Sequence, residues 1–206
     1  MRDSVVDNEV KTKKSINRSM RTKKQIEMEK LEKYLNALPD SEYGKEYYVR
    51  KISELTEMQK AEMEDLVIRL DKAGAKEPLS WAFSEVTENI PQFGRFLVLK
   101  KLLEIEESPK DNILIASDFD RSVKDRFLEI SNMVGEEKML EFLTSFSRGI
   151  MWQIVELLDD GNENYKEDRV NWVLFKTDEN LDYPEPTISG LHESFLEFKN
   201  EIKQRE

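Results

Sequence analysis

The most regular apolar segment of the sequence is MLEFLTSFSRGIMWQIVEL, residues 139–157. Its large apolar side chains recur every three or four residues, which places them on one side of an α-helix. The positions of this stripe are Met139, Leu143, Phe146, Ile150, Ile154 and Leu157. Four further apolar residues widen it beyond the stripe of a surface helix: Leu140, Phe142, Met151 and Val155. The pattern therefore predicts a long helix at the centre of the core.

Turn-forming residues are scarce around this segment. The 206 residues contain 7 Gly and 6 Pro, too few for an all-β sandwich, which needs a turn signal about every ten residues. A helix is predicted from Ser117 or Asp118 to Gly135, and another after Pro91. The short run Ile113–Ile115 fits a strand or a buried loop, and its period does not separate the two. The chain is thus expected to be mainly α.

The segment 25–74 predicts a charged helical hairpin. Apolar residues at helical spacing run from Met28 to Leu38, where Pro39 ends the first helix. A second stripe of apolar residues, separated by many charged residues, runs from Glu46 to Lys72. Gly74 is expected to end this second helix. We expect these two helices to pair with each other.

In the C-terminal part, apolar residues recur every second residue instead of every third or fourth. Val170, Trp172 and Leu174 alternate with their neighbours as in a strand, and the extended segment 182–186 is a candidate to pair back with it. A last helix is predicted from Gly190 to Lys203. The expected architecture is therefore mainly α: a helical hairpin plus an aromatic-rich helical body with one small β element near the C-terminus. The expected organisation is a flexible basic arm at 1–24, the hairpin at 25–74 and a compact domain at 75–206.

Charge is unevenly distributed along the chain. The net charge is −11, but residues 1–24 carry eight Lys or Arg against three acids, so the remaining residues carry about −16. An acidic body repels phosphate backbones and attracts cationic partners. Nucleic acid is therefore an expected partner only through residues 1–24. Because no secretory signal and no long apolar run is visible, we expect a cytoplasmic protein that does not enter a membrane.

The residue types that dominate catalytic sites are nearly absent. The sequence has no Cys and a single His, His192, which removes thiolate nucleophiles and Cys-rich zinc sites. A nucleophilic site would use Ser189 or Ser194 with His192 as base. Glu193 cannot easily orient that imidazole, because adjacent helical residues point about 100° apart. The preferred interpretation makes Ser189 a helix cap and His192 part of the first turn. No glycine-rich phosphate loop occurs, and no cofactor is predicted.

Metal ligation is restricted to oxygen ligands. Asp118, Asp120 and Glu129 follow part of the spacing of a calcium loop, but Val123 stands where that loop needs glycine. Asp160, Asn162 and Asn164 begin the same spacing and do not complete it. Both sets are interpreted as residues at helix ends, and no metal site is predicted.

Arg148 is the unusual residue of the central helix, because it stands with Gly149 among apolar residues. It is interpreted as a buried ion pair with an acid, with a pocket residue as the alternative. Trp152 is expected to pack in the core, although a tryptophan can also anchor a partner. The candidate pocket or partner contacts are therefore Arg148, His192 and Trp152.

These observations favour a non-enzymatic protein–protein interaction module with a cationic protein partner. In its general character, a small acidic chain without catalytic motifs, the sequence resembles bacterial immunity and antitoxin proteins. That resemblance implies the neutralisation of a cationic partner. Two alternatives stay open: an enzyme that uses carboxylates and Arg148 on a small substrate, and an adaptor that binds nucleic acid through the basic arm. The sequence makes no prediction about the oligomeric state.

Overall fold

The computed structural model describes residues 31–39, 41, 44–162, 165–177, 180–181 and 186–203. These residues are mainly helical, with a small two-stranded antiparallel sheet near the C-terminus. The predicted fold class is therefore confirmed. No helix within these ranges is long and apolar enough to cross a membrane. The predicted basic arm, residues 1–24, lies outside the described residues.

The chain divides into two compact units. The first contains the described residues up to Lys72 together with Glu77–Val86, and the second contains Ala73–Lys76 and the described residues from Thr87 onward. The helices of the first unit follow a helical turn at 31–35. They are α1 (Lys45–Glu54), α2 (Glu57–Ala73) and α3 (Pro78–Glu88).

Buried apolar side chains of α2 and α3 form the core of the first unit. They are Met63, Leu66, Val67 and Leu70 on α2 and Leu79 and Ala82 on α3. Tyr34 donates its hydroxyl hydrogen to Asp71 Oδ2 at 2.8 Å, which joins the 31–35 turn to the end of α2. Burial and this hydrogen bond raise the pKa of Tyr34 to about 12.

The continuous helix predicted from Glu46 to Lys72 is wrong at one point, because the chain breaks between α1 and α2. Thr56 and Gln59 form a capping box at this break. The Thr56 N–H donates to Gln59 Oε1 at 3.0 Å, and the Gln59 N–H donates to Thr56 Oγ1 at 3.3 Å. Such reciprocal bonds satisfy amide groups that the first turn of a helix leaves unpaired. They therefore start a new helix at Glu57.

The second unit contains seven helices and two strands within the described ranges. The long helices are α4 (Gln92–Glu106), α5 (Pro109–Phe119), α6 (Ser122–Val134) and α7 (Glu136–Asp160). The short elements are α8 (Tyr165–Asp168), β1 (Leu174–Phe175), β2 (Thr187–Ile188), α9 (Leu191–Phe195) and α10 (Phe198–Glu201).

The core of the second unit lies where α4, α7, α9 and α10 meet. Phe96 of α4 meets Phe198 of α10 edge to face, with ring centroids 5.1 Å apart. The other buried apolar side chains there include Leu99, Leu102, Leu103, Met151, Val155, Leu191 and Phe195. This cluster anchors the two short C-terminal helices, which are too short to be stable alone.

The run Ile113–Ile115 is neither a strand nor a buried loop, so that prediction is wrong. It lies in α5, whose first residue is Pro109. Proline suits the first turn of a helix because its φ is already helical and no amide hydrogen is needed there. Leu114 and Ile115 are both exposed.

Helix α7 forms where it was predicted, but its position in the core was only partly right. Met151 and Val155 are its buried residues. Phe142, Phe146 and Ile150 are exposed. A wide apolar helix was expected to be covered on most sides, and one side of α7 is open.

The β element is shorter than predicted. From Val170–Phe175, only Leu174 and Phe175 pair, with Ile188 and Thr187. Most of the predicted returning segment, 182–185, lies outside the described residues. The predicted last helix, Gly190–Lys203, is divided into α9 and α10 by Leu196 and Glu197.

Candidate functional site

One side of α7 holds α9 in place and contains the candidate residues from the sequence. Arg148, Trp152, Val155 and Asp159 follow each other at spacings of four, three and four residues, so they share one side of the helix. Arg148 contacts Leu196, Trp152 contacts Phe195, and Asp159 contacts His192. The structure therefore brings Arg148, His192 and Trp152 to one helix–helix contact.

Arg148 is half-buried and donates from Nη2 to the backbone oxygen of Leu196 at 2.9 Å. Close to it lies the buried carboxyl of Glu106 on α4. Burial raises the pKa of Glu106, and the charge of Arg148 offsets part of this rise. The space they share has a volume of about 10 Å³. This is about the size of one water molecule, too small for a substrate.

Trp152 packs rather than projecting into a cavity. It is half-buried, and its ring centroid lies 6.0 Å from that of Phe195 at a tilt of 56°. This distance is typical of a favourable aromatic contact. Trp152 therefore contributes to the attachment of α9.

His192 is oriented by Asp159, which lies 33 positions earlier in the sequence. Asp159 Oδ2 is 2.8 Å from His192 Nδ1 and accepts the backbone N–H of His192 at 2.9 Å. The Asp159 side chain is 3% exposed, and its Oδ1 has no hydrogen-bond partner among the residues that the structure describes. A carboxylate that accepts a helix N–H acts as an N-cap supplied by another element.

The contact with Asp159 assigns the hydrogen of the His192 ring. A carboxylate oxygen accepts hydrogen bonds, so Nδ1 donates to Asp159. Ser194, a nucleophile candidate, instead bonds through Oγ with Arg95 Nη2 at 3.2 Å. Among the described residues, the ring of His192 bonds to Asp159 and to no hydroxyl. The hydrogen bonds of His192 and Ser194 therefore attach α9 to α7 and α4.

Arg95 is the second anchor of α9, and in the sequence only its charge within an apolar run distinguishes it. It is buried and bonds the Gly190 oxygen, Ser194 Oγ and, at 3.5 Å, Glu193 Oε2. Gly190 has φ +70°, a conformation that glycine adopts without steric cost. No local pattern in the sequence reveals the bond between Asp159 and His192.

Of the carboxylates that follow part of a calcium pattern, Asp120 lies at the start of α6, whereas Asp118 lies in α5 and Glu129 within α6. Asp120 Oδ1 accepts from the Ser122 N–H at 2.9 Å and from Ser122 Oγ at 2.7 Å. These bonds lower the pKa of Asp120. Within the described residues, no three His, Asp or Glu side chains are grouped so that they could hold a metal ion.

Large apolar side chains are exposed along three consecutive helices. Helices α5 and α6 bury no apolar residue, and Ser131 is the one residue that they bury. The exposed apolar residues of α5 and α6 are Leu114, Ile115, Phe119, Leu128, Ile130, Met133 and Val134. Those of α7 are Phe142, Phe146, Ile150 and Leu157. An amphipathic helix is normally stabilised by covering such side chains.

A groove of about 410 Å³ lies at the C-terminal end of α7. Its lining consists of Gln153, Glu156, Leu157, Asp160, Gly161, Asn162 and Trp172. Trp172 Nε1 donates to the Leu157 oxygen at 2.8 Å, and Asn171 Oδ1 accepts the Asn162 N–H at 2.7 Å. These bonds hold the loop against the helix end.

Known proteins give no guide to the function of this chain. No protein-family model matches it. No curated protein and no solved structure matches it either.

Proposed function

We propose that this chain is a non-enzymatic protein-interaction module that binds a cationic protein, in the manner of an immunity or antitoxin protein. The observation that carries the proposal is the exposed apolar surface of α5 and α6. These two helices expose seven large apolar side chains and bury none. A large apolar side chain contributes roughly 1.5–3 kcal/mol when it is fully buried. Exposed apolar surface of this extent is typical of an interaction site.

Charge supports a cationic partner. The chain carries −11 in total. Within residues 109–160, which contain α5 to α7, eleven acidic side chains stand against six basic ones. Complementary potentials accelerate association and exclude partners of the same sign. The partner is therefore expected to be basic and to present an apolar patch.

The geometry around Arg148 and His192 supports an interaction protein over an enzyme. Arg148 bonds a backbone oxygen beside a space of about 10 Å³, and Asp159 caps α9 through the amide of His192. Arg148 and Asp159 thus each make a structural contact that explains their positions. A catalytic site would need a substrate-sized cavity with converging polar groups.

Capture experiments with matched surface variants test this proposal. Immobilised wild-type protein should retain a basic protein from its source lysate at low salt and release it at high salt. Phe119→Asp and Met133→Asp, at side chains 88% and 80% exposed, should each reduce retention about tenfold. Met58→Asp is the control, since Met58 of α2 is 79% exposed in the first unit.

The two methionine variants distinguish the surface of α5 and α6 from that of α2. Retention that Met133→Asp lowers and Met58→Asp does not would support α5 and α6 as the contact. If no basic protein is retained, or if both methionine variants retain it equally, the proposal fails. Treatment of the lysate with nuclease should leave the retained protein unchanged.

A further inference from the structure

The exposed side of α7 forms a continuous stripe opposite the side that holds α9. The residues of this α7 stripe are Phe142, Phe146, Gly149, Ile150, Gln153 and Leu157, at successive spacings of four, three, one, three and four. Phe142 and Phe146 are 60% and 58% exposed, and their rings stack with centroids 6.1 Å apart. Their aromatic surface therefore stands in solvent.

Gly149 lies in the middle of the stripe with open space above it. A Cβ added there would meet no atom of the described residues within 4 Å, leaving aside its chain neighbours and the nearby helix backbone. Glycine in a helix costs about 1 kcal/mol relative to alanine, and no described residue packs against Gly149 to offset that cost. A missing side chain at such a position allows a second helix to approach closely.

The groove described above forms the C-terminal end of the stripe. Leu157 and Trp172 give it an apolar wall, and Glu156 and Asp160 give it negative charge. It therefore fits a side chain that combines an apolar body with a cationic head, such as lysine.

The N-terminal end of the same helix provides such a residue. Lys138 precedes Phe142 by one helical turn, so both point to nearly the same side of α7. We infer that a second copy of this chain docks antiparallel along the α7 stripe, with Lys138 of each copy entering the groove of the other.

The register follows from a two-fold axis between Gly149 and Ile150. Antiparallel pairing about this point sets Phe142 opposite Leu157 of the second copy and Phe146 opposite Gln153. Lys138 is set opposite Gly161, directly beside Asp160. A two-fold interface uses the same surface on both copies, and this register fills both grooves at once.

Overall charge opposes this pairing, so ionic strength matters. Two copies that each carry −11 repel each other at low salt. At about 0.3 M salt the screening length falls well below 10 Å, and the long-range repulsion is largely removed. The contact between Lys138 and Asp160 is short-range and partly enclosed by the groove.

Sedimentation of the full chain at about 0.3 M salt tests the inference. The wild type should form a dimer, and Phe146→Asp should weaken association about 100-fold, because the change occurs twice in a symmetric interface at about tenfold each. Phe119→Asp, on α5, is the control and should leave the dimer unchanged. Circular dichroism should show equal helix content in all three proteins.

A charge exchange tests the register. Lys138→Glu should weaken the dimer, and combining it with Asp160→Lys should restore it. Restoration requires that the two positions meet, so a double variant as weak as Lys138→Glu would overturn the register proposed here.

Because the chain has no cysteine, a single introduced thiol reports the axis directly. Gly149→Cys should form a covalent dimer under mild oxidation, since a disulfide requires Cα atoms within about 7 Å. Val134→Cys, exposed on α6, should not. A wild type that stays monomeric would overturn the inference. If Phe146→Asp then abolished retention of the basic protein, the α7 stripe would be the binding site for that protein instead.

Discussion

Glu106 shows how one buried carboxyl can make stability depend on pH. It lies on α4 near Arg148, and its burial raises its pKa above the usual value of 4.5. The folded protein then keeps a proton over a pH interval in which the unfolded chain has released it. By linkage, the free energy of unfolding falls as pH rises from about 4.5 through the raised pKa. Ionised Glu106 is thus a cost at neutral pH that Arg148 only partly offsets.

We expect Glu106→Gln to remove this contribution. A glutamine stays neutral at every pH, so the unfolding free energy of the variant relative to wild type should increase between pH 4 and pH 7. Urea denaturation at several pH values measures the difference. Glu129→Gln, at an exposed position of α6, should follow the wild type. A constant difference between Glu106→Gln and wild type across this range would contradict the expectation.

Among the candidate residues, types and positions were visible in the sequence, but their partners were not. Arg148, Trp152 and His192 were selected because a cation, a large aromatic ring and a lone imidazole are unusual in their segments. The residues that give them roles, Asp159 and Leu196, are 33 and 48 positions away from His192 and Arg148. Pairings over such separations leave no periodic signal in one sequence.

Helix α9 shows how an element of five residues is stabilised. An isolated helix of this length does not form in water, because nucleation costs more than a few hydrogen bonds return. Arg95 of α4 bonds the Gly190 oxygen that precedes α9, and Asp159 of α7 accepts the amide of its second residue, His192. Two long helices therefore supply the bonds that α9 cannot make alone.

Asp159→Ala should release the first turn of α9. Removing a buried acceptor leaves the His192 amide unpaired, at a cost of about 1–3 kcal/mol. Hydrogen exchange at the His192 amide should therefore become faster by at least about fivefold. Asp160→Ala, one residue later and exposed, is the matched control and should leave this exchange rate as in wild type. Equal acceleration in both variants would show that Asp159 has no specific capping role.

Whole elements were predictable to different degrees. Helices α6 and α7 were predicted from their period, because one spacing over many residues has a single geometric interpretation. The predicted start of α6 was wrong, since Ser117 and Asp118 belong to α5 and α6 begins at Ser122. Ile113–Ile115 was misassigned because three apolar residues fit several structures, and Pro109 provided the helix start that resolved it. The break at Thr56 had a sequence signal, Thr56 with Gln59, that a stripe of apolar residues concealed.

Net charge acts on the whole molecule. With −11 on 206 residues and an isoelectric point near 4.9, like charges repel across the folded surface more than in the expanded chain. Salt screens this repulsion. Electrostatic self-repulsion therefore destabilises the protein at pH 7 and low ionic strength.

The melting temperature should rise when salt increases from about 0.02 to 0.2 M at pH 7. The same increase should have a smaller effect near pH 5, where the net charge approaches zero. Calorimetry at low protein concentration measures both, which keeps association from contributing. A melting temperature that falls with salt at pH 7 would mean that attractive ion pairs outweigh the net repulsion.

The sequence by itself determined the helical class, the acidic character, the poverty in catalytic residue types and the place of the longest helix. These properties follow from composition and local periodicity, which act over one or two helical turns. Only the tertiary structure decided which side of α7 is covered and that Arg148, Trp152 and His192 meet at α9. Burial depends on contacts between residues far apart in the chain, and an apolar side chain looks the same in the sequence whether it is covered or exposed.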